Sequence, residues 1–321
     1  MKRFTQIALL LAVCFKATHW PLSAAENPNR TKAQKLYKDG NFKEAYEAFS
    51  KLALGAKTDP KTVGADLNMA ISSLQRLNRR SEIDAFRENV IKVHAKNWRL
   101  LHTAANSYLS ATHYGFIISG EFHRGQHRGG GKHVNSYERD RVRALQLMTQ
   151  AIPLTKNDGD HSAVGSFYMA LADMMMGQRG YAGAWRLQYK TDITKLPDYE
   201  AGYYYGYGRY GHSSRGAPVD KNDKPIYHKR PKTWAAAKSD GERWRWALLQ
   251  AVEFSAPLRD TVNYKFASFL KAQFGVETMG RYGRFFGSWR QPTPRDDGKK
   301  DKSGTHEPHT LGEGETSARL P

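Results

Sequence analysis

The residues best suited to chemistry crowd into positions 113–140. His113, His123, His127 and His133 supply imidazoles. Gly125 and Gly129–Gly131 supply a loop that can approach a ligand closely. Arg124, Arg128 and Lys132 supply charge. Each group has one obvious use. Paired histidines bind metal, but His123 and His127 are four apart, a spacing that aligns them only on a helix, and the glycines and Arg128 oppose a helix there. No carboxylate completes a zinc set, so no metal site is expected. Gly125 and Gly130 have the spacing of a phosphate-binding loop, but Gly131 stands where the lysine belongs and no hydroxyl residue follows. What remains is an anion cradle of backbone N–H groups with Arg124, Arg128 and Lys132. Glu138 and Asp140 are two apart on a helical pattern and face different ways, so they are not an acid–base pair and are expected to meet arginines such as Arg141 and Arg143. No His-Glu-x-x-His or Gly-x-Ser-x-Gly occurs. The expectation is no catalytic residue and no cofactor. An enzyme using these histidines in an unrecognised site is the alternative.

The elements that must position this stretch are helices. Val142, Leu145, Met148 and Ile152 share one helical face with Ala144, Leu147 and Ala151 beside them, so the helix packs between others. The glycine loop before it is expected to be a tight, solvated crossover between two helices. Arg139, Arg141 and Arg143 are expected on a solvated face; a positive stripe shared with the loop is the other arrangement. Upstream, helical spacing runs through Ala33–Tyr37, Phe42–Phe49, Leu67–Leu77, Ile83–Val93 and Leu101–Tyr108. Downstream it runs through Val164–Met175, Trp244–Ala251 and Val262–Leu270. Asp39-Gly40-Asn41 breaks the first pair of helices. Ser239-Asp-Gly-Glu242 is a capping box. Met174–Met176 reads as core filler. The helical period is lost after Thr191; glycine, tyrosine and proline dominate to Lys238. Tyrosines there are expected to pack on the helices, and Lys221–Lys224 to turn a small hairpin.

The start of the chain reads as a leader. Lys2 and Arg3 precede an apolar run from Ile7 to Phe15, nine residues long and far below the roughly 20 that span a bilayer. Ser23-Ala-Ala25 offers a cleavage site, so export to the periplasm or medium without a transmembrane anchor is expected. Removing the leader removes Cys14, the chain's single cysteine, and with it any disulfide or thiolate chemistry. It also removes Lys2, Arg3 and Lys16, leaving 47 basic against 31 acidic residues, a net of +16. For an exported protein this charge favours anionic cell-surface polymers over nucleic acid, which is not expected as a partner.

Gly40-Asn-Phe-Lys-Glu-Ala-Tyr-Glu-Ala-Phe49 resembles the second half of a tetratricopeptide repeat. The expected fold is therefore mainly all-α. Tetratricopeptide-like helical hairpins would form a solenoid or bundle, with a Gly/Tyr/Pro-rich insertion holding a small β-hairpin. The expected layout is a signal peptide at 1–25, a helical repeat-like domain at 26–191, an irregular insertion at 192–238, a helical continuation at 239–290 and a polar, disordered tail at 291–321. Tyr114–Phe122, His127–Met148, Trp185–Tyr189, Lys195–Tyr199, Gly216–Asp220 and Asp240–Leu248 are together similar to the N-terminal helical region of large bacterial alpha-2-macroglobulin-family proteins. His309–Leu320 resembles a later piece of the same region. The resemblance implies a relation to protease inhibitors. The sequence ends before any macroglobulin β-sandwich, and its mature part offers no cysteine for a thioester, so bait and trap are not expected. A truncated or free-standing module is. The resulting expectation is a noncatalytic scaffold that contacts a protein partner, either a protease or an envelope protein. A basic module for anionic envelope polymers is the alternative.

Overall fold

The computed structural model describes residues 27–177, 184–202, 217–218, 226–274 and 317–318. The leader expected at 1–25, most of the tail at 291–321 and the turn at Lys221–Lys224 lie outside the described residues. The chain is mainly helical, with a small four-stranded antiparallel sheet.

Among the described residues, seven α-helices precede the Gly/Tyr-rich segment: α1 (Pro28–Lys38), α2 (Phe42–Ala53), α3 (Val63–Arg76), α4 (Ile83–Val93), α5 (Trp98–Leu109), α6 (Tyr137–Thr155) and α7 (His161–Met176). Two follow it: α8 (Asp240–Phe254) and α9 (Arg259–Phe274). Their ends follow local chemistry. The Asn27 side chain accepts from the Asn29 N–H and Pro28 opens α1. Gly40, at φ 82°, takes the left-handed conformation needed to turn into α2. The Asn97 side chain caps α5 by accepting from the Arg99 and Leu100 N–H groups. At α8 the Ser239 hydroxyl accepts from the Glu242 N–H, as the sequence predicts, while the Glu242 carboxylate reaches back to the Lys238 N–H.

The helices pack mostly on their neighbours in sequence: α1 on α2, α2 on α3, α5 on α6, α7 on α8; α3 also lies on α5. One continuous core joins Phe49, Leu67, Leu101, Leu145, Phe167 and Trp244. Val142, Leu145 and Met148 are buried as their spacing requires, and so are Met174 and Met175. Gly64 lets α3 approach α5: a Cβ there would stand 2.6 Å from the Thr103 hydroxyl oxygen. An arginine clamp ties α1 to α3, with Arg30 Nε and Nη2 donating to the two oxygens of buried Asp66 at 2.8 and 2.7 Å.

The crossover between α5 and α6 is a sheet, not the tight solvated loop expected. β1 (Tyr114–Ile118) turns through Ser119-Gly120 into β2 (Glu121–Arg124), and β3 (Lys132–Asn135) returns along the other edge of β1. Positive φ at both Ser119 and Gly120 gives the two-residue turn that matches strand twist. β4 (Glu200–Ala201) extends the sheet, giving the order β2-β1-β3-β4. The helical hairpin α5–α6 thus carries three short strands, with β1 between β2 and β3, in place of its turn. Ala217–Pro218 (β5) pairs with Ser317–Ala318 (β6).

Candidate functional site

Strand β2 delivers Arg124 into the joint between α4 and α6. There it is buried and saturated. Its Nε donates to both oxygens of Asp84 at 3.1 and 2.9 Å. Its Nη1 donates to the Thr112 carbonyl (2.6 Å), the Ser136 hydroxyl (3.1 Å) and Asp140 Oδ2 (2.8 Å); its Nη2 donates to Asp140 Oδ1 (2.8 Å). Burial works against the Arg124 charge, but Asp140 and Asp84 outweigh it and hold its pKa above the ordinary arginine value. Burial likewise pushes the Asp140 carboxyl up, and donors from His113, Arg124 and Ser136 pull it below the usual carboxylate range.

His113, Ser136 and Asp140 have the residue types of a hydrolase triad but not its wiring. The His113 Nδ1 meets Asp140 Oδ2 at 2.8 Å and its Nε2 meets the Leu109 carbonyl at 3.1 Å. The Ser136 hydroxyl donates to Asp140 Oδ2 at 2.7 Å, not to the imidazole. A working triad needs the base within reach of the nucleophile. Here both converge on the carboxylate, and the group works as a clamp joining the strand ends to α6.

Beside this cluster lies a second. Glu88 on α4 accepts from the Tyr108 hydroxyl (2.5 Å) and from Arg143 Nε and Nη2 (2.8 and 2.7 Å). Burial raises the Glu88 pKa; Arg143 and Tyr108 more than reverse that. Arg139 donates to the Pro197 carbonyl and lies over Tyr199, which stacks on Phe122 at 4.5 Å. Buried Arg141 turns towards Glu138, Thr191 and Asp240. The three arginines of α6 therefore point to three separate places, and no common stripe forms. Glu138 meets Arg141 as the sequence predicts, while Asp140 goes to Arg124 and His113.

The structure separates the expected anion cradle. Arg124 is buried, whereas Arg128, in the loop between β2 and β3, and Lys132, at the start of β3, are exposed. His123, His127 and His133 gather by the sheet around Phe116: ring centroids lie 5.9 Å from His127 and 5.1 Å from His133, and His123 lies 6.4 Å from His127. Among the described residues no three His, Cys, Asp or Glu side chains form a metal set.

Above the charge cluster opens a cleft of about 250 Å³ between α3 and α5. Asn68, Ser72 and Gln75 line it from α3, spaced four and three apart so that they share a face. Thr103, Asn106 and Ser107 line it from α5. Its buried lining includes Arg87 and Arg124, Arg80 lines it too, and no carboxylate is among its described lining residues. Sequence reasoning missed Arg87 and the two polar stripes. The available signal was Arg87's position on the apolar face of α4, with Ile83, Val90 and Ile91, where a cation needs a partner. No family model, curated protein or solved structure matches the chain.

Proposed function

We propose that this chain is a noncatalytic, exported helical scaffold that contacts a protein partner, a protease or an envelope protein. Its repeat-like hairpins would be arranged as the tetratricopeptide and macroglobulin resemblances imply. The observation that carries this reading is the closure of the Asp140 cluster: Arg124, His113 and Ser136 all donate to or meet one carboxylate, so the best chemical groups hold elements together. Stacked helices with a polar cleft between α3 and α5 supply the recognition surface. Cross-linking of the purified protein in envelope extract, read by mass spectrometry, tests it. A single partner cross-linked through α3 and α5 supports the reading; cross-links scattered over all faces count against it.

Exposed Arg128 and Lys132, beside exposed His127, favour a second reading, a basic module for anionic envelope polymers. That attraction would fall steeply as salt rises from 50 to 500 mM. Binding unchanged by salt eliminates it.

A further inference from the structure

We propose that the cleft between α3 and α5 binds a polar carboxylate, held by Arg87 and flanked by the side-chain amides of Asn68, Gln75 and Asn106. The inference goes beyond the scaffold reading and does not depend on it.

Arg87 is the reason. It is 1% exposed, yet it is poorly partnered. Its Nη1 has one long hydrogen bond to Asp84, 3.4 Å, and its Nε has no partner among the described residues. Arg124 explains the shortfall, because it already takes both Asp84 oxygens at shorter range. The Arg87 guanidinium lies 3.8 Å from the centre of the Tyr108 ring, which fixes its position without supplying an acceptor. A buried guanidinium with N–H groups left over is rare, because desolvated donors go unpaired only at a cost. An oxyanion entering the cleft that Arg87 lines supplies the missing acceptor.

Charge sets the class. Three guanidinium groups reach the cleft, from Arg80, Arg87 and Arg124, and the carboxylates of Asp84 and Asp140 pair with the last two. One positive charge is left, which suits a monoanion better than a phosphate dianion. A planar carboxylate also fits a guanidinium edge in geometry.

The rest of the lining suits what lies beside the acid group. The side chains of Asn68 and Gln75 on α3 and Asn106 on α5 are exposed. An amide both donates and accepts, so it can pair with hydroxyl or peptide groups. The hydroxyl hydrogens of Thr103 and Ser107 go to the carbonyls of Arg99 and Ala104, leaving their oxygens as acceptors. The volume, about 250 Å³, lies below the roughly 300–1,000 Å³ of pockets for drug-sized molecules, so the bound part is small. A sugar acid and a peptide terminus share this chemistry.

Isothermal titration of the purified protein distinguishes the two. Glucuronate is compared with glucose, N-acetyl-glycylglycine with its amide, and inorganic phosphate with both acids. At least one acid is expected to bind saturably, at least tenfold more tightly than its neutral counterpart and than phosphate; which acid binds identifies the source. Arg87→Gln is expected to abolish that binding. Because Arg87 is buried, the exposed triple variant Asn68→Ala, Gln75→Ala, Asn106→Ala provides a check that leaves the fold alone. It is expected to keep the wild-type circular dichroism and melting temperature and to weaken acid binding at least fivefold. The proposal is overturned if neither acid binds, if a neutral counterpart or phosphate binds as well as its acid, or if the triple variant binds like wild type.

Discussion

Replacing Arg124 with methionine tests whether the Asp140 cluster is a clamp. The substitution keeps an unbranched apolar stem, ends short of the guanidinium and removes all its donors. Asp140, whose side chain is 4% exposed, keeps His113 and Ser136 as its side-chain partners among the described residues. Asp84 is 30% exposed and can turn to water and Arg87. The cost therefore falls mainly on Asp140. Breaking a buried pair from one side costs about 3–5 kcal/mol, a large part of the roughly 5–15 kcal/mol that holds a domain folded. Adding Asp140→Asn removes the stranded charge and should return about 2 kcal/mol of that loss. The pH dependence has a definite sign. The folded Asp140 pKa is depressed, so its contribution is present above the unfolded carboxyl value near ~4 and is lost as pH falls through the folded value. The gap between wild type and Arg124→Met should thus be widest at pH 7 and narrow towards pH 3. Urea denaturation followed by tryptophan fluorescence gives these numbers, with Trp98, Trp234, Trp244 and Trp246 buried as reporters. A loss below about 1 kcal/mol for Arg124→Met, or a double variant no more stable than the single one, refutes the reasoning.

Three further outcomes follow from local geometry. Gly64→Ala should destabilise by about 1–3 kcal/mol, because its Cβ meets Thr103 at the α3–α5 contact, and Thr103→Ala should relieve part of that in a thermal melt. Ser239→Ala should cost about 1 kcal/mol by removing the cap on the Glu242 N–H, measured by urea midpoint. Burial lowers the pKa of His102 and of His228 to about 4. Unfolded histidine takes up its proton at about pH 6.5, so the contribution of these two groups should be constant above that pH and be lost between 6.5 and 4, by at most about 3 kcal/mol per histidine. His102→Leu should flatten part of that slope in melts taken across the window.

The helices were legible because their signals are local. The spacing of Val142, Leu145 and Met148, the break at Gly40 and the cap at Ser239 each lie within a few residues. The sheet was not legible for a physical reason. Its strands are four or five residues long, Gly115 sits inside β1, and histidine, arginine and glycine hide the alternation of Phe116 and Ile118. The Ser119-Gly120 turn was the readable cue. Arg124 reads as part of an anion cradle because its real partners are remote: Asp84 is 40 positions away and Asp140 is 16. The cleft was hidden for the same reason. Asn68 and Gln75 meet Asn106 only after α3 packs on α5, and a polar stripe leaves no hydrophobic period to detect.

The claim that this chain works through the shape of its packed helices, and not through reactive side chains, is tested most directly by partner capture from envelope extract with two variants side by side. One carries alanine at His123, His127 and His133; the other carries alanine at Asn68, Gln75 and Asn106. The account predicts that the histidine variant captures the same partner in the same yield as wild type and that the cleft variant captures less. Loss of the partner in the histidine variant alone, or a partner chemically altered by wild type and unaltered by that variant, would contradict it.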